Sequence, residues 1–351
     1  MGNQLSHNIF SYATSELSQD AFLCWLFSYG DLKSKEDYPE LHNCAMDLLC
    51  KLCPDSQQPI YVKSIHRQED HIDVLIEAEG INNRALFIII EDKSGTTEHD
   101  EQLERYKKIV IEKYQDQNPE VIGAYYKSGL QGRQDGIIAA GYRAVFRPQI
   151  LEILNKHPEC MKNDIFGSYY RNLYDAQNEA QKYKEYRYDE WEWCQIEAFF
   201  DDILHSERFG EEKFCAYDYV PNQDGGFISM WTAGSYIKNE PWQLYFQLEF
   251  APKKAQICIK GWIDGKAEKG KNYISKEGNR FIDQIVHWDK NEYAFRQYEF
   301  ERPYRLSPHE SMTFGKVCID PNSTYNEIEA KIHYAYHQYE CLLKDYSCKI
   351  D

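Results

Sequence analysis

The chain has no run of about 18 apolar residues, so a membrane-spanning helix is not expected. Its first ten residues lack a basic start followed by an apolar stretch, which reads as a protein without a secretory leader, at work in the cytoplasm and not at a membrane. Positive charge is scarce: 40 Lys and Arg against 57 Asp and Glu leave a formal −17. That balance argues against adhesion to nucleic acid over the whole surface, because phosphates are neutralised by clustered Lys and Arg. It leaves open a basic groove on an acidic body, or local positive charge from bound divalent cations.

Other frameworks are missing too. The 11 cysteines are scattered, and buried reduced thiols are the reading. Cys50 and Cys53 make a C-x-x-C, but no second pair exists and a structural zinc site needs four ligands. With Leu48, Leu49 and Leu52 they fit better as the apolar face of a helix that stops before Pro54. G-x-S-x-G, H-E-x-x-H and G-x-G-x-x-G are absent, which leaves hydrolase-elbow, zincin and Rossmann readings without support. Gly265 to Asn272 reads G-x-x-x-x-G-K-N, whereas a phosphate-binding loop needs Ser or Thr after its lysine and a strand-to-helix setting. An ATPase would require that loop to work despite Asn272.

What is present suits buried cores: 42% hydrophobic and 28% charged residues, with no tract polar enough for disorder. At 351 residues two domains are expected, 1–210 and 211–351. Periodicity predicts a helix over 15–29, with Phe22, Trp25, Leu26 and Tyr29 on one face, and another over 39–53. Residues 60–69 read as extended. Two continuous apolar runs, 72–77 and 85–91, read as central strands covered on both faces and joined by the turn residues of 79–83. A helix over 98–114, strands over 121–126 and 142–146, a helix entered through Pro148 and a tyrosine- and charge-rich helical stretch to about 209 follow. Beyond 210, strands over 227–232, 242–250 and 255–263 and a closing helix over 325–346 predict an α+β domain.

Two features of composition admit more than one reading. Among 28 tyrosines, Tyr183, Tyr186 and Tyr188 lie near Trp191 at core spacing, so packing or a protein interface takes precedence over stacking on bases. Residues 253–280 hold seven Lys and Arg280 against Asp264, Glu268 and Glu277, a local +5. This reads equally as a nucleic-acid-contacting hairpin or as a sheet edge blunted by lysines.

The chemistry-bearing pattern lies in the first half. Asp73 sits near the start of one predicted strand, and 18 residues later Glu91-Asp92-Lys93 ends its neighbour, where an apolar run turns abruptly into three charges. Alternation along a strand puts Glu91 and Lys93 on one face and Asp92 on the other, and an adjacent antiparallel strand can bring Asp73 beside them. Two carboxylates at a sheet edge make a hard, oxygen-rich site suited to magnesium, and a lysine there can orient water or offset charge on phosphate. From spacing alone, charges that end a buried strand are as well explained by solvation.

Asp73, Glu91 and Lys93, on the expected hairpin, resemble the PD-(D/E)xK nuclease superfamily, and the chain is most similar to its bacterial branch. Glu16-Leu17-Ser18-Gln19-Asp20-Ala21-Phe22-Leu23-Cys24-Trp25-Leu26 is similar to that branch's opening helix, Gln102-Leu103-Glu104-Arg105-Tyr106 to its post-motif helix, and Tyr125-Tyr126-Lys127-Ser128-Gly129 to its next strand. The matches cover about residues 10–150, and Ile72 stands where the family name has proline.

The resemblance implies a restriction-endonuclease-like α/β fold, a mixed central sheet flanked by helices, and a magnesium-dependent endo- or exonuclease in which manganese can substitute. It implies Asp73 and Glu91 as metal ligands, Asp92 lending its backbone carbonyl, and Lys93 assisting the attacking water. Glu16 would add an acid to the metal centre, although alone it reads as a first-turn residue favoured by the helix dipole. Gln102 would contact substrate or water, with Tyr106, four residues on, packing; Lys127 reads as a phosphate contact or a solvated lysine. DNA ranks ahead of RNA as substrate, defence against phage or mobile DNA is the implied setting, and the C-terminal domain is the place for a protein partner or a second copy of the chain. The competing reading is a catalytically silent protein of the same fold that binds or regulates.

Overall fold

The computed structural model describes residues 8–13, 16–81, 84–93, 102–206, 209, 214–223, 225–237, 242–263, 276–280 and 311–346. The chain divides into two compact units, residues 1–130 with 134–178, and residues 131–133 with 179–351. Sequence patterning places the change near 210, whereas contacts break at 178/179. The reason is a helix over Trp193–His205 whose Phe199 and Phe200 pack on Phe250 of the second sheet, so it belongs with the strands that follow it.

The first unit is a five-stranded mixed sheet between helices. In chain order its elements are α1 (Glu16–Ser28), α2 (Ser34–Asp37), α3 (Pro39–Leu52), β1 (Pro59–Glu69), β2 (Ile72–Gly80), β3 (Ala85–Lys93), α4 (Gln102–Lys113), β4 (Glu120–Lys127), α5 (Asp135–Ala139), β5 (Tyr142–Phe146), α6 (Arg147–Asn155) and α7 (Asp164–Gln181). The strands lie in the order β1-β2-β3-β4-β5. The first three run antiparallel through short connections, whereas β3, β4 and β5 are parallel, as a crossover through a helix requires. Even-numbered β3 residues Leu86, Ile88 and Ile90 pack with Leu23, Leu26 and Leu48 of α1 and α3. Odd-numbered Phe87 and Ile89 pack with Leu103, Tyr106 and Val110 of α4. Both faces of β3 are therefore dry, which explains its unbroken apolar run, and each such side chain contributes about 1.5–3 kcal/mol. Cys53 lies in the core beside Leu52, and Cys50 and Cys53 end α3 as free thiols.

The second unit contains α8 (Trp193–His205), β6 (Ala216–Val220), β7 (Phe227–Trp231), β8 (Ser235–Tyr236), β9 (Trp242–Ala251), β10 (Lys254–Ile263), β11 (Ser311–Cys318) and α9 (Tyr325–Tyr346). Its sheet is antiparallel, in the order β11-β10-β9-β7-β6, with β8 also paired to β9. Trp242, Leu244, Phe246, Leu248 and Phe250 of β9 are fully buried, and Tyr339 of α9 donates from its hydroxyl to the Leu244 carbonyl at 2.9 Å. Tyr183 and Tyr188 are buried against Trp191, as their spacing predicts.

Three strands escape the sequence pattern: β6, β8 and β11. The first two are short, and Thr313, Gly315 and Lys316 interrupt the apolar run of the third. Of the lysine-rich segment, the part in β10 is interior to the sheet, flanked by β9 and β11, and residues 264–275 lie outside the described residues. The Gly265 to Asn272 loop lies outside the described residues. Among the described residues, no helix is long and apolar enough to cross a membrane.

Candidate active site

Where β3 outlasts its apolar run, its last three residues remain in the sheet and out of water: Glu91 and Asp92 are fully buried and Lys93 is 8% exposed. The antiparallel register pairs Val74 with Ile90, so one further step sets Asp73 opposite Glu91. Cross-strand neighbours share a face, which here is the α4 face. Lys93 Nζ donates to Glu91 Oε1 at 2.5 Å and stands 3.9 Å from Asp73 Oδ2. Gln102, at the start of α4, donates to the same Glu91 oxygen at 3.0 Å and to the Tyr106 hydroxyl at 2.7 Å. Asp73 is held by the Asp92 backbone N–H at 3.0 Å and by Gln68 Nε2 at 3.0 Å.

The other face of the same strand end carries a second polar cluster. Asp92 accepts from Gln19 Nε2 of α1, which also reaches the Lys93 carbonyl at 3.3 Å. Gln19 Oε1 accepts from Tyr169 at 3.4 Å, and Tyr169 pairs with Tyr126 at 2.8 Å. Gln68 bridges the faces, donating to Asp20 at 2.9 Å as well as to Asp73. It does so from a tight β1–β2 turn in which Gln68, Asp70 and His71 have φ of 55°, 55° and 67°. Left-handed backbone costs a side chain about 1–2 kcal/mol per residue, and ion pairs from Lys113 to Glu69 and Asp70 fasten the turn.

Burial shapes the charges. It pushes the Glu91 carboxyl up to about 7, with the neighbouring Asp73 charge adding to the rise and Lys93 opposing it. Burial works to lower the Lys93 ammonium, but its hydrogen bond to Glu91 and the charges of Glu91, Asp73 and Glu16 outweigh that and hold it above the usual lysine value. Burial raises Asp92 far above the carboxylate range and Asp20 less so. Asp20 Oδ1 and Asp92 Oδ2 are buried without a donor, and a proton shared between these carboxyls would give each a partner.

Glu91 Oε2 is likewise buried without a hydrogen-bond partner, although Oε1 beside it accepts twice. A carboxylate oxygen that no N–H or O–H reaches is a position a hard cation fits. Among the described residues no three His, Cys, Asp or Glu stand together as a ligand cage. The groups that could hold a cation here are Asp73 and Glu91, and the Asp92 carbonyl accepts from Lys93 Nζ at 3.3 Å. Two carboxylates suit magnesium, which retains waters and takes substrate phosphate in preference to a full protein cage.

Of the residues singled out in the sequence, Asp73, Glu91, Lys93 and Gln102 meet on one face. Asp92 shares their strand end with its side chain on the opposite face, as alternation requires. Glu16 stands half-buried in the first turn of α1, and its charge acts on both Glu91 and Lys93. Lys127 is not solvated: it is 5% exposed and in register with Lys93 on the parallel neighbour β4. Gln19, Asp20 and Gln68 form part of the site although the sequence reading assigned them no role. Gln19 sits four residues before Leu23 and seven before Leu26, in phase with the buried row of α1, and that was the signal available. In comparisons with known proteins, no family model, no curated protein and no solved structure matches this chain.

Proposed function

We propose that the first unit is a restriction-endonuclease-like domain that hydrolyses phosphodiester bonds with a divalent metal. One observation carries the reading: a buried carboxylate with an unpartnered oxygen, Glu91, stands with Asp73 and a buried lysine at the end of a central strand. Asp73 and Glu91 hold the metal, magnesium by preference with manganese able to substitute. When bound, it supplies Lewis-acid polarisation of a phosphoryl oxygen and a water acidic enough to attack near neutral pH. Gln102 orients Glu91, and Gln68 with the Asp92 N–H orients Asp73. Lys93 offsets charge developing on the phosphate and positions the attacking water. Glu16 is a further acid for the same centre. The resemblance in the hairpin, opening helix and post-motif helix supports DNA ahead of RNA and a setting in defence against foreign DNA.

The test is incubation of the purified chain with linear DNA, circular DNA and RNA, in magnesium, manganese or EDTA. Cleavage of one substrate class that EDTA abolishes is expected. Absence of cleavage on all of them would transfer the assignment to a binding or regulatory protein.

A further inference from the structure

We propose that the second unit carries a pocket for an unpaired nucleobase, on the face of β9 opposite its core. The pocket is a hollow of about 330 Å³, open to solvent, lined by Trp231, Thr232, Gly234, Gln243, Tyr245, Gln247 and Trp262. That volume lies in the range of small-molecule sites. It follows from strand alternation: even-numbered β9 residues fill the core, so Gln243, Tyr245 and Gln247 line the other face in a row. Register places Trp231 of β7 opposite Gln247 and Trp262 of β10 opposite Gln243, so two indoles stand at diagonal corners of a floor centred on Tyr245.

The lining is built and not incidental. Gln247 is 8% exposed, and its amide nitrogen donates to Glu249 at 3.0 Å. Glu249 is fixed in turn by Lys260 at 2.6 Å and Gln256 at 2.5 Å. The buried ion pair therefore holds the Gln247 amide in one orientation, with its carbonyl oxygen left as acceptor.

The chemistry narrows the ligand. Among the described residues the lining is uncharged: aromatic rings, two glutamines, a threonine and a glycine. It presents aromatic faces for a flat ring, worth most to an unpaired base, one amide, Gln243, whose adjacent donor and acceptor match a base edge, and the Gln247 carbonyl as a further acceptor. The inference stands on the second unit alone and holds whether or not the first unit cleaves phosphodiesters.

The test uses the full chain with nitrogen-15-labelled indoles, titrated with adenosine, guanosine, cytidine, uridine and thymidine, and separately with glucose and N-acetylglucosamine. These nucleosides contain no phosphodiester, so cleavage cannot obscure binding. Of seven tryptophans, the indole N–H signals of Trp231 and Trp262 are expected to move saturably with at least one nucleoside. Trp231→Ala and Trp262→Ala should each weaken that binding about tenfold. Trp231→Phe and Gln243→Leu, which disturb packing less, should weaken it about two- to fivefold. Movement with the sugars instead, movement confined to other tryptophans, or no saturable movement with any nucleoside would overturn the proposal.

Discussion

Among the described residues each unit buries a lysine–glutamate pair in its sheet, and the two pairs differ in how completely they are satisfied. In the second unit Glu249 has all its acceptor needs met: Oε1 takes Lys260 at 2.6 Å and Gln247 at 3.0 Å, and Oε2 takes Gln256 at 2.5 Å. In the first unit Lys93 and Gln102 both go to Glu91 Oε1, Oε2 has nothing, and a second carboxylate, Asp73, stands on the same face. A buried carboxyl left so either takes a proton, as the rise of Glu91 to about 7 allows, or is completed by a cation. The satisfied pair is a structural strut that orients a neighbouring amide. The unsatisfied pair leaves one buried carboxylate oxygen without a partner, and that is where the proposed cation would sit.

Removing each lysine should separate the two cases most sharply. Lys260→Met takes from the buried Glu249 its ion-pair partner in a packed sheet and should cost about 3–5 kcal/mol in urea unfolding. Lys93→Met should cost less without metal, about 1–2 kcal/mol, because Glu91 is already poised to take a proton near neutrality. Equal losses in both variants would erase the distinction.

The pH dependence of the metal-free protein comes next. A carboxyl whose folded pKa is raised holds its proton better in the native state, so its contribution to stability is complete below the unfolded value and is lost as pH rises through the folded one. For Glu91 the window runs from the ordinary 4.5 to about 7, and the loss across it is on the order of 3 kcal/mol. Glu91→Gln should remove this part of the slope in denaturation curves recorded with EDTA at pH 4.5, 6 and 7.5. A slope unchanged by the substitution would show that Glu91 ionises freely.

The smallest effect sharpens the comparison at the level of single donors. Gln256→Ala leaves Glu249 Oε2 without its partner and should cost about 1–3 kcal/mol, whereas Gln102→Ala removes one of two donors to Glu91 Oε1 and should cost about 0.5–1.5 kcal/mol. Thermal unfolding of the two variants checks the order.

These differences also explain what the amino-acid sequence discloses. A strand covered on both faces must be apolar at every position, so Glu91, Asp92 and Lys93 stand out at its end, and Asp73 stands out in β2 for the same reason. The paired strands, the crossover helix α4 and the closing helix α9 follow from periodicity alone. In the second sheet polar and apolar residues alternate, so Gln243, Gln247 and Glu249 look like ordinary solvent-facing positions, and only pairing shows that they converge. Gln68 reaches Asp73 through a left-handed turn that no periodicity encodes. The compact units divide at 178/179 and not near 210 because α8 has the helical pattern of the first half but buries Phe199 and Phe200 against the second sheet.

The most direct measurement is the rate of DNA cleavage in magnesium by the unaltered chain, by Asp73→Ala and Lys93→Ala, and by Glu152→Gln, which alters an exposed ion pair on α6. The account predicts a loss of about a thousandfold in the first two variants, with folding retained, and an unchanged rate in the third. Cleavage that survives both Asp73→Ala and Lys93→Ala, or no cleavage by the unaltered chain, would contradict it.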